Sequence, residues 1–423
     1  MRVTVFGCGY VGLVTGACLS ELGHMVECID IDAGKVATLQ SGIVPFFEPE
    51  IEKMLRNKTL SFATTATAPD LCIIAVGTPL AENGSADLSQ VFAVADLIKA
   101  MDKPPKAVVM KSTVPPGTTK EIAARTGLET ISNPEFLRQG SAVQDFMQPD
   151  RLVIGANSER GFALMEQLYA PLNLPAERIV KTGTNSAELT KYAANVFLTT
   201  KLAFVNELAL YCETVGADID EVTKGIGLDT RIGNQFLQAG PGIGGSCFPK
   251  DIRALAFQSN ALEHHLTIVQ AVIASNDTHQ NAMLQKIVEM CGGSVLGKTI
   301  AIFGVTFKAN TDDLRNSVST VIIPALQEMG AKISAVDPMG AENGKTVFTG
   351  VNWVENPYKA AEPADVLVVL TEWELFKTLD LARLAQAMKI PKLVDLRNIY
   401  SPEQAVLAGF EYDSIGRGGL AKG

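Results

Sequence analysis

The segment GGSCFPKD, Gly244 to Asp251, sets one cysteine behind paired glycines and follows it with a lysine and an aspartate. Pro249 suits the first turn of a helix continuing KDIRALAF, so Cys247 is expected just before a helix N-terminus. That position, with Lys250 nearby, favours the thiolate, the form of cysteine that attacks carbon. Gly244 and Gly245 would leave space around it for a substrate carbon. Asp251, one helical turn further, would reach the same pocket. The competing reading is a small buried core cysteine, as assumed for Cys18, Cys28 and Cys212.

A second constellation lies in AELTKYAANVF. Lys191 and Asn195 are four apart in a helical pattern and face the same way. Together they could stabilise the oxyanion formed when a hydroxyl loses hydride. The alternative for Lys191 is an ion pair with Glu188, one turn earlier.

GCGYVG supplies a third. Gly7 permits a tight turn, Gly9 lets a pyrophosphate approach the backbone, and Gly12 lets helix and strand pack closely. The phosphates would sit at a positive helix N-terminus. A strand pattern precedes the motif, a helix follows, and Asp30 ends the next strand pattern, HMVECID. Asp30 can accept both ribose hydroxyls of NAD and would repel the 2′-phosphate of NADP, so the expected cofactor is NAD. Asp32 is read as a solvated turn residue. A hydride acceptor and a nucleophilic thiol imply a double oxidation. An alcohol becomes an aldehyde, the thiolate adds to give a thiohemiacetal, a second hydride leaves to give a thioester, and water releases an acid.

The elements that must hold these groups follow from periodicity. RVTVFG, HMVECID, LCIIAVGTP and AVVMKSTVPPG read as buried strands alternating with helices such as Leu88–Ala100, hence a parallel sheet covered on both faces. NSAELTKYAANVFLTTKLAFVNELALYCETVG is a long helical pattern, with Asn185 and Glu188 spaced as N-cap and N3. It is apolar around much of its circumference and is expected to be buried between domains or subunits. Further helical sequence runs from Ile219 to Met290. Strand patterns resume in KTIAIFG, AKISAVDP, ADVLVVLT and PKLVDLRN, with a helix near Ser319–Met329. The expected architecture is α/β: two Rossmann-like doubly wound parallel-sheet domains, 1–184 and 295–423, joined by a central helical dimerisation domain, 185–294, with a long connecting helix.

Composition narrows the function classes. Of 423 residues, 47% are apolar and 19% charged, ample for packed cores. With 36 basic and 46 acidic side chains the formal net charge is −10, which argues against a nucleic-acid partner. The seven cysteines are scattered without a CxxC pair and His is scarce, so neither a structural zinc site nor any other metal is expected, and a reducing, cytoplasmic compartment fits. The uncharged run Val3–Ser20 is read as a glycine-turned strand and helix, not a cleaved leader, and no run is apolar enough to span a bilayer.

These motifs, with VGTP, KSTVPPGT, NPEFLRQGSAVQDFMQPDR, RIG, FGVTFK and VDLRN in this order, make the chain resemble the UDP-glucose/GDP-mannose dehydrogenase family over nearly its whole length. The resemblance implies a nucleotide sugar oxidised twice at C6 with two NAD. It implies Cys247 as nucleophile, Lys191 and Asn195 at the reacting oxygen, Asp251 with water and Lys191, and Glu135 and Thr113 in proton transfer and water positioning. Cofactor contacts would come from Gly7, Gly9, Tyr10, Val11, Gly12, Asp30, Lys35, Gly77, Thr78, Pro79, Ser112, Lys250 and Arg315. Beside Glu135, Lys191 and Asn195, the sugar nucleotide would meet Phe136, Leu137, Gln139, Phe236, Gly242, Gly244, Lys308 and Arg397, with Arg231 offered across a homodimer interface. Within the family, GSCFPKD is most like the members acting on UDP-glucose. Those acting on GDP-mannose typically carry leucine after the cysteine, and those acting on N-acetylated sugars tend to have His where this chain has Ser246. Two positions depart from the family pattern: Gln139 replaces a glutamate, and Ile243 an aromatic residue.

Overall fold

The structure is a computed structural model that describes residues 1–417. Two compact units emerge: Met1–Ala194 with Arg253–His264, and Asn195–Ile252 with the chain from His265 on.

The first unit is built on eight strands: β1 (Arg2–Phe6), β2 (Met25–Ile29), β3 (Leu60–Ala63), β4 (Leu71–Ile74), β5 (Ala107–Met110), β6 (Thr130–Ser132), β7 (Leu152–Gly155) and β8 (Ile179–Thr182). Their order is β3-β2-β1-β4-β5-β6-β7-β8, whose first six positions follow the dinucleotide-fold order. Continuous apolar strands are what such a sheet needs, because both faces are covered. In β4, Leu71 and Ile73 enter one core while Cys72 and Ile74 enter the other.

The expected parallel sheet has one exception, since β6 and β7 pair antiparallel through Ser132 and Gly155. An antiparallel neighbour starts where the previous strand ended. The intervening segment 133–151, which carries NPEFLRQG, therefore stays at the strands' C-terminal edge, where ligands bind in open α/β sheets.

The second unit carries a six-stranded, all-parallel sheet: β9 (Thr299–Phe303), β10 (Lys332–Val336), β11 (Val351–Trp353), β12 (Val366–Val369), β13 (Lys392–Asp395) and β14 (Glu411–Ser414), ordered β11-β10-β9-β12-β13-β14. The first strand again alternates between cores, Ile300 and Ile302 on one side, Ala301 and Phe303 on the other. The helices Ile219–Gly227 and Thr267–Met290 precede it.

The long helix spans Thr184–Val215, 32 residues. One expectation about it changes. The Asn185–Glu188 capping pair does not form: the helix starts at Thr184, and the Glu188 carboxylate accepts the N–H groups of Gly117 (2.7 Å) and Thr119 (2.6 Å). Those donors open the helix Thr118–Thr126, whose unsatisfied N–H groups attract a carboxylate. In the single chain one stripe of the long helix is uncovered. Phe197, Phe204 and Tyr211, seven apart, are 67%, 55% and 61% exposed.

Candidate active site

The glycine turn follows β1 as its sequence requires. Gly7 has φ +97°, and a Cβ on Gly12 would sit 1.8 Å from the Gly7 carbonyl oxygen. A Cβ on Gly9 would meet nothing within 4 Å, so that position borders an open cradle. The helix Tyr10–Glu21 begins there with no acidic side chain in its first turn, leaving its N-terminus free to take phosphate.

Asp30, just past β2, accepts the Cys8 N–H (2.8 Å), the Asp32 N–H (3.1 Å) and the Lys35 ammonium (3.0 Å). Burial pushes its carboxyl up, but these donors outweigh that and hold it below the ordinary range. Asp32 caps the next helix by accepting the Lys35 N–H. Tyr10, the first residue of the helix after the glycine turn, donates its hydroxyl to Glu48, and the same carboxylate takes the N–H groups of Gly140 (2.6 Å) and Ala142 (2.7 Å). Glu48 thus ties the glycine turn to the loop after β6. Sequence reasoning passed over it, since it is one of three alternating glutamates, Glu48, Glu50 and Glu52, after GIVPFF. Ser112 donates to the Val76 carbonyl (2.7 Å), and Thr78 to that of Thr113 (2.8 Å), fixing the VGTP and KST loops together.

Lys191 and Glu135 face each other at 3.0 Å, each side chain only 5% exposed. Lys191 is therefore ion-paired, but with Glu135 and not with Glu188, which is committed to the Gly117 and Thr119 N–H groups. Burial would raise the Glu135 carboxyl. The Lys191 charge, the Leu137 N–H and Lys111 reverse this and hold it below its usual value. The Phe136 ring packs under the Arg151 guanidinium (3.7 Å) and the Lys191 ammonium (5.4 Å). Arg151, in the QPDR run, was not singled out from sequence. Leu137 and Gln139 are partly buried in the same loop.

In the second unit Cys247 is exposed and directly precedes the helix Phe248–Ala261, with the Asp251 N–H bonded to its carbonyl (2.9 Å). Asp251 is 1% exposed. It accepts the Asn195 amide (2.6 Å) and the Lys250 ammonium (2.6 Å). Arg315 shares the electrostatic surroundings of Cys247 and forks onto Asp313 at 2.9 and 2.7 Å.

The paired glycines have a different use from the one expected. A Cβ on Gly244 would meet the Asn316 carbonyl at 2.7 Å, and one on Gly245, with φ +90°, the Phe307 ring at 2.9 Å. The side-chain space they leave is taken by the Asn316 backbone and the Phe307 ring. Gly242 likewise lies where a Cβ would strike Gln280. Asn206, Asn276 and His279 hold the loop through Gly240 N (2.9 Å), Ile243 N (2.7 Å) and Gly240 O (2.7 Å). Ile243 is itself buried. Phe236 adopts φ +61° with its ring against Phe248. Arg397 donates to the carbonyls of Leu370 (2.8 Å) and Phe307 (2.7 Å), and Lys308 lies over the Phe307 ring. Arg231 is 87% exposed and forks onto Asp229.

Among the described residues no cluster of His, Cys, Asp and Glu could hold a metal, and no helix is long and apolar enough to cross a membrane.

The chain is similar to known proteins throughout. A UDP-glucose 6-dehydrogenase of Rhizobium meliloti is 44% identical, covering 99% of this chain and 100% of that protein. The UDP-glucose 6-dehydrogenase YwqF of Bacillus subtilis is 43% identical, over 99% and 98%. A solved UDP-glucose dehydrogenase from Pyrobaculum islandicum superposes with a TM-score of 0.89 at 36% identity, over 97% of this chain and 96% of that one. Three models of one family also match in sequence: its NAD binding domain at residues 1–173, its central domain at 185–278 and its UDP binding domain at 301–402. With the cradle at Gly9 and the carboxylate at Asp30 matching what NAD requires, the chain belongs to the UDP-glucose/GDP-mannose dehydrogenase family.

Proposed function

We propose that the chain catalyses the four-electron oxidation of UDP-glucose at C6 to UDP-glucuronate, consuming two NAD and one water. The observation that carries this reading is Cys247, an exposed thiol directly before a helix N-terminus, in a chain whose full-length relatives bear the UDP-glucose 6-dehydrogenase name.

The glycine turn and Asp30 would hold NAD, which would supply the hydride acceptor for each oxidation. Lys250 and Arg315 add contacts to it. Lys191 and Asn195 stabilise the oxyanion at C6, and Glu135 takes up the hydroxyl proton through a water held by Thr113. The Cys247 thiolate adds to the aldehyde carbon, giving a thiohemiacetal, and loss of the second hydride leaves a thioester. Asp251 orients the water that cleaves it, releasing the acid and the free thiol. Gln139 cannot act as a base, which leaves that role to Glu135. Phe136, Leu137, Phe236, Gly242, Gly244, Lys308 and Arg397 hold the sugar nucleotide.

The three-domain division 1–184, 185–294 and 295–423 follows this reading, as does a homodimer formed through the exposed Phe197–Phe204–Tyr211 stripe, with Arg231 offered to the partner. Six of the seven cysteines are at least partly buried, in keeping with a reducing cytoplasm.

The deciding experiment is stoichiometry on UDP-glucose, GDP-mannose and UDP-N-acetylglucosamine. Two NADH per UDP-glucose, with UDP-glucuronate by mass, is the expected result. One NADH with a released aldehyde, or turnover confined to another sugar, would overturn it.

A further inference from the structure

Lys111 directly follows β5 and is 4% exposed. Its ammonium donates to the Asn133 side-chain carbonyl (3.0 Å) and the Tyr169 hydroxyl (3.3 Å). It lies 5.8 Å from the centres of both the Phe146 and Tyr169 rings. Among the described residues no carboxylate is in ion-pair contact with it. A buried ammonium held only by neutral groups is costly, and an apolar side chain of the same length would fill the space without that cost.

What the ammonium holds is the start of a catalytic loop. Asn133 is wholly buried and bonded on both its side chain and its backbone. It accepts from Lys111 and from the Tyr169 hydroxyl (2.7 Å), donates its amide to the Val153 carbonyl (2.8 Å), and bonds its backbone N–H to Met110 (2.8 Å). Two residues on comes Glu135, clamped by the Leu137 N–H (2.6 Å) and Lys191 (3.0 Å).

We propose that Lys111 is a positioning residue for the Glu135–Lys191 pair, fixing through Asn133 the turn that presents Glu135 and placing a second buried cation behind its carboxylate. The ionisable groups facing this assembly are Lys191 from the long helix, Tyr169 from the helix Glu159–Tyr169, and Cys18 and Tyr10 from the helix Tyr10–Glu21. Burial lowers the Lys111 ammonium to about 8, so it is still largely protonated at neutral pH and can serve as that cation. The inference rests on the dehydrogenase reading, because Glu135 must act as a carboxylate during turnover.

The test compares Lys111→Met and Lys111→Arg with the parent chain, by pH profiles of kcat and KM on UDP-glucose and NAD. A parent that makes no NADH defeats the dehydrogenase reading itself. With an active parent, Lys111→Met is expected to lose about tenfold in kcat through misplacement of Glu135. Its acid limb should move up by roughly half to one pH unit as a nearby positive charge is lost. Lys111→Arg should recover the acid limb. A folded Lys111→Met with the parental profile overturns the proposal. If Lys111→Met does not fold, Tyr169→Phe decides, since it removes one hydroxyl from the network at nearly constant volume. A lowered kcat at unchanged NAD KM supports the proposal, and parental kcat overturns it.

Discussion

Asn195 and Asp251, 56 positions apart, meet through an amide and a carboxylate at 2.6 Å in the interior of the second unit. The Lys250 ammonium approaches the other carboxylate oxygen at 2.6 Å, so Asp251 is caught between two donors next to the turn that carries Cys247. Asp251→Asn would turn an amide toward both. Overall turnover should fall on the order of 10²–10⁴-fold, the scale of a lost proton-transfer group. Rapid quench should show the covalent sugar–Cys247 adduct accumulating. Loss of turnover without any adduct would place Asp251 before the thioester and not at its hydrolysis.

Thiol chemistry separates Cys247 from the other six cysteines. It is exposed, Cys291 is half-buried and the rest are buried. Burial pushes the Cys18 and Cys72 thiols up to about 12, which suppresses their thiolates at neutral pH. Iodoacetamide at low excess should therefore label Cys247 first, with loss of activity in step with labelling. Peptide mass mapping checks this, and UDP-glucose should slow it. Full activity after complete alkylation of Cys247 would remove the covalent route.

The NAD preference has a similarly local origin. Asp30 is held ionised by Cys8 N–H, Asp32 N–H and Lys35, and a carboxylate there opposes a 2′-phosphate. Asp30→Ser should cut kcat/KM for NAD by roughly tenfold or more, as lost ribose hydrogen bonds do, and shrink the preference over NADP. An unchanged NAD:NADP ratio would place discrimination elsewhere.

How far the sequence could be read depends on the range of the interactions involved. Strands, the glycine turn and the helix after Cys247 are set by runs of a few residues, so apolar patterning and Pro249 were enough to locate them. Contacts across tens of residues were not visible. Glu188 sits three after Asn185 and looks like a local cap, yet its carboxylate serves a helix N-terminus about seventy positions earlier, where buried N–H groups had no other acceptor. The pairing of Lys191 with Glu135, also distant in sequence, was hidden for the same reason. Gly244 and Gly245 were read as space for a substrate carbon, and the seats they make for Asn316 and Phe307, which the second sheet brings in, were not visible. Lys111 carried a signal that was not used: a lysine placed directly after the apolar strand run AVVM.

The uncovered stripe on the long helix invites a direct test. Phe197, Phe204 and Tyr211 recur every seven residues, the spacing of a helix seam. Phe204→Glu should yield a monomer by sedimentation, with far-UV circular dichroism unchanged. A parent chain that is itself monomeric at micromolar concentration would exclude the stripe as a self-association surface.

His279 makes the glycine loop sensitive to acid. Its Nε2 lies 2.7 Å from the Gly240 carbonyl and must carry the proton to donate there, which leaves Nδ1 buried with no partner among the described residues. Burial first, and then the Lys286 charge, lower the imidazole below its ordinary 6.5, only partly offset by the Gly240 bond. The unfolded chain therefore binds a proton that the folded chain refuses. Stability from this group is complete above 6.5 and is lost as pH falls below it toward the lower folded value. His279→Gln can keep a donor to Gly240 without titrating. Urea midpoints at about pH 7.5 and about pH 5.5 should fall further in the parent than in the variant, because His24, also lowered by burial, is common to both and cancels. Equal losses in the two chains would show that His279 does not carry the acid sensitivity of this loop.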